Sequence, residues 1–593
     1  MAKLNDLTAP WSAEERSLFV DATPSPPAGQ FELGLVLGGT VSAGAYTAGV
    51  LDFLIESLDA WDAEKQMPGS SAPDWSVRLK AVAGTSGGGV LSAILAKALS
   101  WEFPAVRMSD GPDVTSVNPF YQVWVEQLDI TAMLETGDIA DHHAPRALLN
   151  AACLERAANY VASFNGRQGQ ARFRDYVQEP LPVYLTLTNL QGLPCTIGYP
   201  GGLQQHYVDH AEYAKFYVFT QGGTPARALP DGFVVTSASG PMGHHDHADW
   251  SIVSSYALGT GAFPVGLPPR DLQLPVQQLR LRPMVVAAPG IAGSSAGSAR
   301  VDVVPRAINW RMLADAQGEV PDAHPFTAVD GGVLNNEPIG LCRRELAGMT
   351  GRNERAGELA QRAVLLVDPF SDAPEMTPAH PPGMLGVAKG LIGTWKSQAR
   401  YDTQDLQLAV EQNCFSRFLI TAQRAGADVG GRSIACASLS AFGGFLSKEF
   451  RRHDYFLGRK NCRDFLMQEL LIPAENQAMF GAWKAAHPMS WSQWLIKDAL
   501  GRDCLPLIPL FGACRSIEQV PPYPTGRFNP DARSFNHALE DRIEAVLDGI
   551  VDEQDYGSLS TWLIKQGIEL FDDDLADRVK EAIKSGLRDW RLI

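Results

Sequence analysis

Between residues 31 and 100 the hydrophobic pattern changes its period more than once. "FELGLVL" (31–37) is an apolar run of strand length that stops at the glycines of "GGTVSAG" (38–44). Beyond Gly44, the apolar residues Val50, Leu51, Leu54 and Leu58 recur at helical spacing, which predicts a helix. "VRLKAVA" (77–83) is a second strand candidate, and "VLSAILAKAL" (90–99) is a short, nearly all-apolar helix of the buried kind. Further strand candidates are "LPVYLTLTN" (181–189), "TAV" (327–329) and "AVLLVDPF" (363–370). Apolar strands alternating with helices predict an α/β fold, with a mainly parallel sheet covered by helices on both faces.

The text changes toward the C-terminus. A proline-rich joint, "DAPEMTPAHPPG", leads into stretches without strand runs, such as "GTWKSQARYDTQDLQLAVEQNCFSRFL". "LEDRIEAVLDGIVDEQ" and "LADRVKEAIKSGLRDWRLI" have helical patterns. The expected organisation is a leader over 1–30, a catalytic domain over 31–350, a linker with the last sheet strand over 351–385, and a mostly helical region over 386–593. A chain of 593 residues is long enough for more than one core.

Composition narrows the function. The formal net charge of −17 argues against a general nucleic-acid binder or a protein that adsorbs broadly to anionic lipid. The 8 cysteines are scattered without a CxxC pair, which predicts reduced thiols and a cytoplasmic setting. No apolar window is long enough for a membrane-spanning helix, and the start lacks a secretory signal pattern, so membrane contact is expected to be peripheral.

Three corners carry chemistry. Gly84-Thr85-Ser86-Gly87-Gly88 is a G-x-S-x-G pentapeptide between a predicted strand and a predicted helix. Such a turn lifts the serine clear of the sheet, and the following helix directs its N-terminal dipole toward it. The alternative is a glycine-rich packing turn. The glycine loop at 38–44 has neither the lysine of a phosphate-binding loop nor dinucleotide-binding spacing. It fits an oxyanion hole instead, with Gly38 and Gly39 offering N–H groups beside Gly87 and Gly44 keeping the loop small. In "HPFTAVDGGVLNNEPIG", Asp330 ends a short strand before Gly331 and Gly332; alone, it would read as an Asp-Gly turn.

In that order, the three corners resemble the patatin-like phospholipases, lipid acyl hydrolases with a Ser-Asp dyad and no catalytic histidine. The resemblance covers roughly residues 31–345. It implies Ser86 as nucleophile, Asp330 as its partner, and Asn336 and Pro338 as a family asparagine and proline. "YALGTGAFPVGLPP" (256–269) is similar to a family segment running into Phe-Pro, and "LTLTNLQG" to the strand carrying a Thr-Asp pair, here with Asn189 in place of the acid. The implied fold is a three-layer α/β/α sandwich. Family members usually read Gly-Gly-Gly-x-Arg/Lys-Gly in the first loop; "GGTVSAG" has one extra residue and no basic side chain.

The resulting expectation is a serine hydrolase of lipid esters that needs no cofactor. Its rivals are a triad with His380 or His453 as base, and a catalytically weak scaffold acting through its C-terminal region. "GPMGHHDHADW" groups His244, His245, Asp246 and His247, and a solvated polar loop is the expectation there rather than a metal site. Asp368 reads as a turn or capping residue. The basic run "KEFRRHDYFLGRKNCR" (448–463) reads as a solvated helix face that could meet lipid phosphates.

Overall fold

The computed structural model describes residues 1–139, 145–198, 202, 204–223, 225–236, 247–287, 301–370, 403–427, 432–552 and 575–593. His380, the cluster His244-His245-Asp246 and the proline-rich joint lie outside them. In chain order, the elements that build the site are β1 (Gln30–Leu37), α1 (Gly44–Lys65), β2 (Ser76–Gly84), α2 (Gly87–Ala98), α3 (Ala152–Ser163), β3 (Leu181–Gly198), β4 (Gln204–Phe219) and β5 (Phe233–Thr236). They continue with α4 (His247–Thr260), β6 (Arg270–Pro275), β7 (Ala323–Asp330), α5 (Ile339–Ala347), β8 (Arg362–Val367), β9 (Arg417–Ile420) and α6 (Lys448–Gln468).

The result is a mixed α/β fold around a mostly parallel sheet. Its strand order is β9-β8-β1-β2-β3-β7-β6, with β4 and then β5 branching from β3. The run β9-β8-β1-β2-β3 is parallel throughout. β7 is antiparallel to β3 and β6, and β4 is antiparallel to β3. From Leu33 to Leu37 β1 has no polar side chain, because both its faces are covered. Leu33, Leu35 and Leu37 join the main core, whereas Val36 packs on the opposite face with Ala81, Ala83 and Leu366 beneath Ile339, Cys342 and Leu346 of α5. β1, β2 and β8 finish level, with Leu37 paired to both Gly84 and Val367.

Among the described residues after 385 helices predominate, but this part is joined to the rest: β9 extends the main sheet, and a further three-stranded sheet joins Leu471–Pro473, Asp503–Pro506 and Ile496–Lys497. Helix α6 also packs along α1, where Gly458 faces the carbonyl of Tyr46 and Gly49 faces that of Tyr455 too closely for a side chain on either glycine. Residues 1–30 are tied to the rest of the chain as well. Ala2–Lys3 pairs with Glu319–Val320, and Phe19 packs with Leu281, Val303 and Met349.

The basic run at 448–463 is not the solvated helix face expected of it. Arg451 and Arg459 are buried, because each has a partner distant in sequence. Arg451 donates to the Val125 carbonyl, and the Arg459 guanidinium joins Asp52, Glu56 and Glu518. Among the described residues, no helix is long and apolar enough to cross a membrane. All 8 cysteines are buried and unpaired.

Candidate active site

Ser86 and Asp330 come together because two strands end against one edge of β3. β2 runs parallel to β3 until Gly84 pairs with Leu185. β7 runs the opposite way along the same edge until Asp330 pairs with Leu187. The two strand ends therefore abut, two residues apart on their shared neighbour. Ser86 stands two residues past the end of β2 and Asp330 closes β7, so the Ser86 hydroxyl donates to Asp330 Oδ2 at 2.5 Å. Both residues are buried.

Each partner is held independently. Ser86 has φ 54° and ψ −129°, a strained conformation for a residue with a side chain, at the head of α2. Its N–H donates to Thr260 Oγ1 at 2.9 Å. The N–H of Gly332 donates to Asp330 Oδ1 at 2.7 Å, which turns the other carboxylate oxygen toward the serine. The Asp330 N–H donates to the Ala262 carbonyl at 2.9 Å, and its own carbonyl accepts the Thr188 hydroxyl at 2.9 Å. The segment 256–269 thus grips both members, Ser86 through Thr260 and Asp330 through Ala262. Below them, the Thr85 and Thr186 hydroxyls bond at 2.6 Å, and Thr85 also donates to the Asn335 carbonyl at 2.9 Å.

The glycine loop is in place, but its amides are used differently from the sequence expectation. The Gly38 N–H extends the β1–β8 ladder by donating to the Val367 carbonyl at 3.1 Å, and the Gly39 N–H donates to the Asn336 carbonyl at 3.3 Å. Two other amides lie at the pocket edge without an acceptor among the described residues. One is Gly87 N–H, opening α2; the other is Val41 N–H. Val41 has φ 48°, which a β-branched residue rarely adopts. The remaining predicted positions frame the pair: Gly84 ends β2, Gly88 lies in the first turn of α2, Gly44 opens α1 against the Trp124 ring, and Gly331 packs on Thr186. The Asn336 amide donates to Glu337 Oε1 at 2.6 Å. Asn189 accepts the Gly192 N–H at 2.9 Å, a local turn bond. Asp368 accepts the Phe370 N–H at 3.0 Å, the turn role expected of it.

From Ser86 an apolar cavity runs between α2, α3 and α4, lined beside the serine by Val41, Gly87 and Phe263 and further along by Ala93, Val161 and Trp250. Phe445, from the C-terminal part, also lines it. His453 stands elsewhere: it is buried on α6, its Nδ1 is 2.7 Å from Asp454 Oδ1, and its ring meets Tyr523 edge-on. Thr260, Ala262 and Val41 contact the pair or border its pocket, and sequence reasoning did not single them out. Thr260 and Ala262 sit inside the Phe-Pro segment already singled out, but nothing in that segment marks which residue reaches the serine.

No family model matches the chain. It is 31% identical over 550 residues to the uncharacterized protein y4iI of Sinorhizobium fredii, a match spanning 87% of this chain and 75% of that one. The crystal structure of VipD from Legionella pneumophila aligns with 95% of this chain and 91% of that chain at 10% identity, with a TM-score of 0.19, too low to bear on the fold.

Proposed function

The chain belongs to one family with y4iI of Sinorhizobium fredii, and for it we propose a serine acyl hydrolase acting on lipid esters, of the patatin-like type and with that family's three-layer sandwich. The observation that carries the reading is the direct bond from the Ser86 hydroxyl to the Asp330 carboxylate, at 2.5 Å. At that distance no imidazole fits between them, so the carboxylate itself is the base, and the dyad is favoured over a triad through His453. The apolar cavity beginning at the serine suits an acyl chain.

In the proposed reaction Ser86 Oγ attacks the ester carbonyl carbon while Asp330 Oδ2 takes the hydroxyl proton. The C–O bond of the ester breaks, and Asp330 returns the proton to the departing alcohol oxygen. Water then attacks the acyl-enzyme, gives its proton to Asp330, and the serine hydroxyl is restored as the fatty acid leaves. The tetrahedral oxyanion needs N–H donors that are not already committed. We assign that role to Gly87 and Val41, since Gly38 and Gly39 donate to backbone carbonyls.

A fluorophosphonate probe tests the assignment, since it labels only an activated serine. Wild-type protein should be labelled and should hydrolyse short nitrophenyl esters, whereas Ser86→Ala should do neither and keep its fold by circular dichroism. Labelling that persists in Ser86→Ala would move the nucleophile to another residue.

A further inference from the structure

The cavity beside Ser86 has a depth that two helices measure separately. Along α2, Val90, Ala93 and Ile94 line it at helical spacing. The next position on that face is Lys97, eleven residues beyond Ser86, or roughly 16 Å at 1.5 Å per residue. Along α4, the Ser86 end is marked by Thr260, whose hydroxyl accepts the serine N–H. Ala257, Ser254 and Val253 follow along the wall, and the last lining residue is Trp250, ten residues back, or roughly 15 Å. The two estimates agree, and they meet at one contact, since Lys97 Nζ lies 4.7 Å from the centroid of the Trp250 ring.

That contact has the character of a floor. The Trp250 indole is fixed by its Nε1–H, which donates to the Thr236 carbonyl at 3.0 Å. Lys97 and Trp250 are both almost wholly buried, and burial lowers the Lys97 pKa to about 8. Apart from Ser86 and Ser254 the walls named here are apolar, and among the described residues the cationic Lys97 stands at the far end. Each further methylene gains by burial until the chain reaches the indole, beyond which it would meet a rigid ring backed by an amine.

Resting on the acyl-hydrolase reading, we infer that Trp250, backed by Lys97, is the floor of the acyl pocket and limits the chain it accepts to about a dozen carbons, given about 1.25 Å per carbon of an extended chain.

The test is the ratio kcat/KM across a homologous series of nitrophenyl esters, butyryl to palmitoyl. For wild type it should rise about fourfold per methylene up to a break near dodecanoyl, and then stop rising. Trp250→Ala should move the break outward and raise the palmitoyl-to-dodecanoyl ratio by at least about tenfold. Should that variant not fold, Ala158→Phe gives the opposite displacement. Ala158 of α3 lines the cavity level with Ser254, about midway along α4, since its carbonyl accepts the Ser254 hydroxyl at 3.3 Å, and a phenyl ring there should move the break to roughly half the chain length. A profile without a break, or one that neither variant moves, overturns the floor while leaving the hydrolase standing. Absence of both hydrolysis and fluorophosphonate labelling in wild type would remove the hydrolase reading and the floor with it.

Discussion

Replacing Asp330 by asparagine tests the dyad at one atom. In the wild-type site the two carboxylate oxygens have different partners: Oδ1 accepts the Gly332 N–H at 2.7 Å and Oδ2 accepts the Ser86 hydroxyl at 2.5 Å. An asparagine of the same shape must keep its carbonyl oxygen at the Oδ1 position, because the Gly332 N–H faces it. Its NH₂ then points at Ser86 Oγ, so an acceptor becomes a donor. The serine hydroxyl can rotate and accept that bond, so the loss of stability should stay near the 1.5–3 kcal/mol typical of a hydrogen bond to a charged group, or about 2 kcal/mol. Catalysis has no such recourse, because the amide nitrogen cannot take the proton. The expected fall in kcat is at least the 10²–10⁴ range of general base catalysis, about 3–5 kcal/mol of barrier. Hydrolysis of a short nitrophenyl ester measures kcat and KM, and thermal denaturation reports the fold. A variant that retains kcat within about tenfold while folding normally would refute the carboxylate as base.

Three further outcomes follow from contacts in the glycine loop and on α6. In Gly39→Ala the new methyl would overlap Asn336 Oδ1 and press on the Ser86 Cβ, and a shift of that order should lower kcat about a hundredfold with little change in KM. Loss confined to KM in steady-state assays would count against a positioning role for the loop. Arg459→Met removes the one guanidinium shared by Asp52, Glu56 and Glu518, and leaving buried carboxylates behind should cost about 3–5 kcal/mol in denaturant unfolding. An unchanged midpoint would mean that Arg107, also paired with Glu56 and Glu518, carries the cluster alone. His453→Ala should lower stability by leaving a cavity against Tyr523, yet keep the kcat of the folded protein close to wild type; a collapse of kcat with the fold intact would restore a histidine base.

The site was legible in the sequence where local chemistry determines it. Ser86 follows a strand and Asp330 ends one, each at a glycine corner, and β8 and the second half of β1 are apolar because both their faces are buried. β4 was not legible: "QQHYVDHAEYAKFYVF" keeps its first half exposed, and its polar side chains hide the strand that continues into the core. β9 is only "RFLI", at the end of a stretch with helical character, and it exists through its ladder with β8. The basic run on α6 misled for a related reason. Charged residues at surface-like density read as solvated, yet the acid that neutralises Arg459 on α1 lies 407 residues away in sequence. Which amides of the glycine loop remain unbonded depends on the positive φ of Val41 and on the reach of the β1–β8 ladder, and neither is written in residue types.

The part of the chain after residue 385 bears on the same pocket, which weighs against a weak scaffold acting through a separate C-terminal region. Ser42, two residues past the glycine loop's Thr40, donates its hydroxyl to the Ala441 carbonyl at 2.5 Å and accepts the Gly444 N–H at 2.9 Å. Phe445 lines the pocket itself, and Phe442 packs edge-on against the Phe263 ring, 5.2 Å between centroids. Arg451 holds the carbonyl of Val125, next to the pocket residues Val123 and Trp124. The turn that delivers these contacts has three consecutive residues with positive φ, Leu439 at 54°, Ser440 at 55° and Ala441 at 75°. At about 1–2 kcal/mol per residue for left-handed backbone, such a turn persists only where surrounding contacts offset it. Here they include both bonds to Ser42 and the packing of Leu439 against Gly586 of the helix Leu575–Asp589. A strained segment fastened at one end to the loop beside Ser86 and at the other to the last helix makes the C-terminal part a wall of the pocket at Ser86.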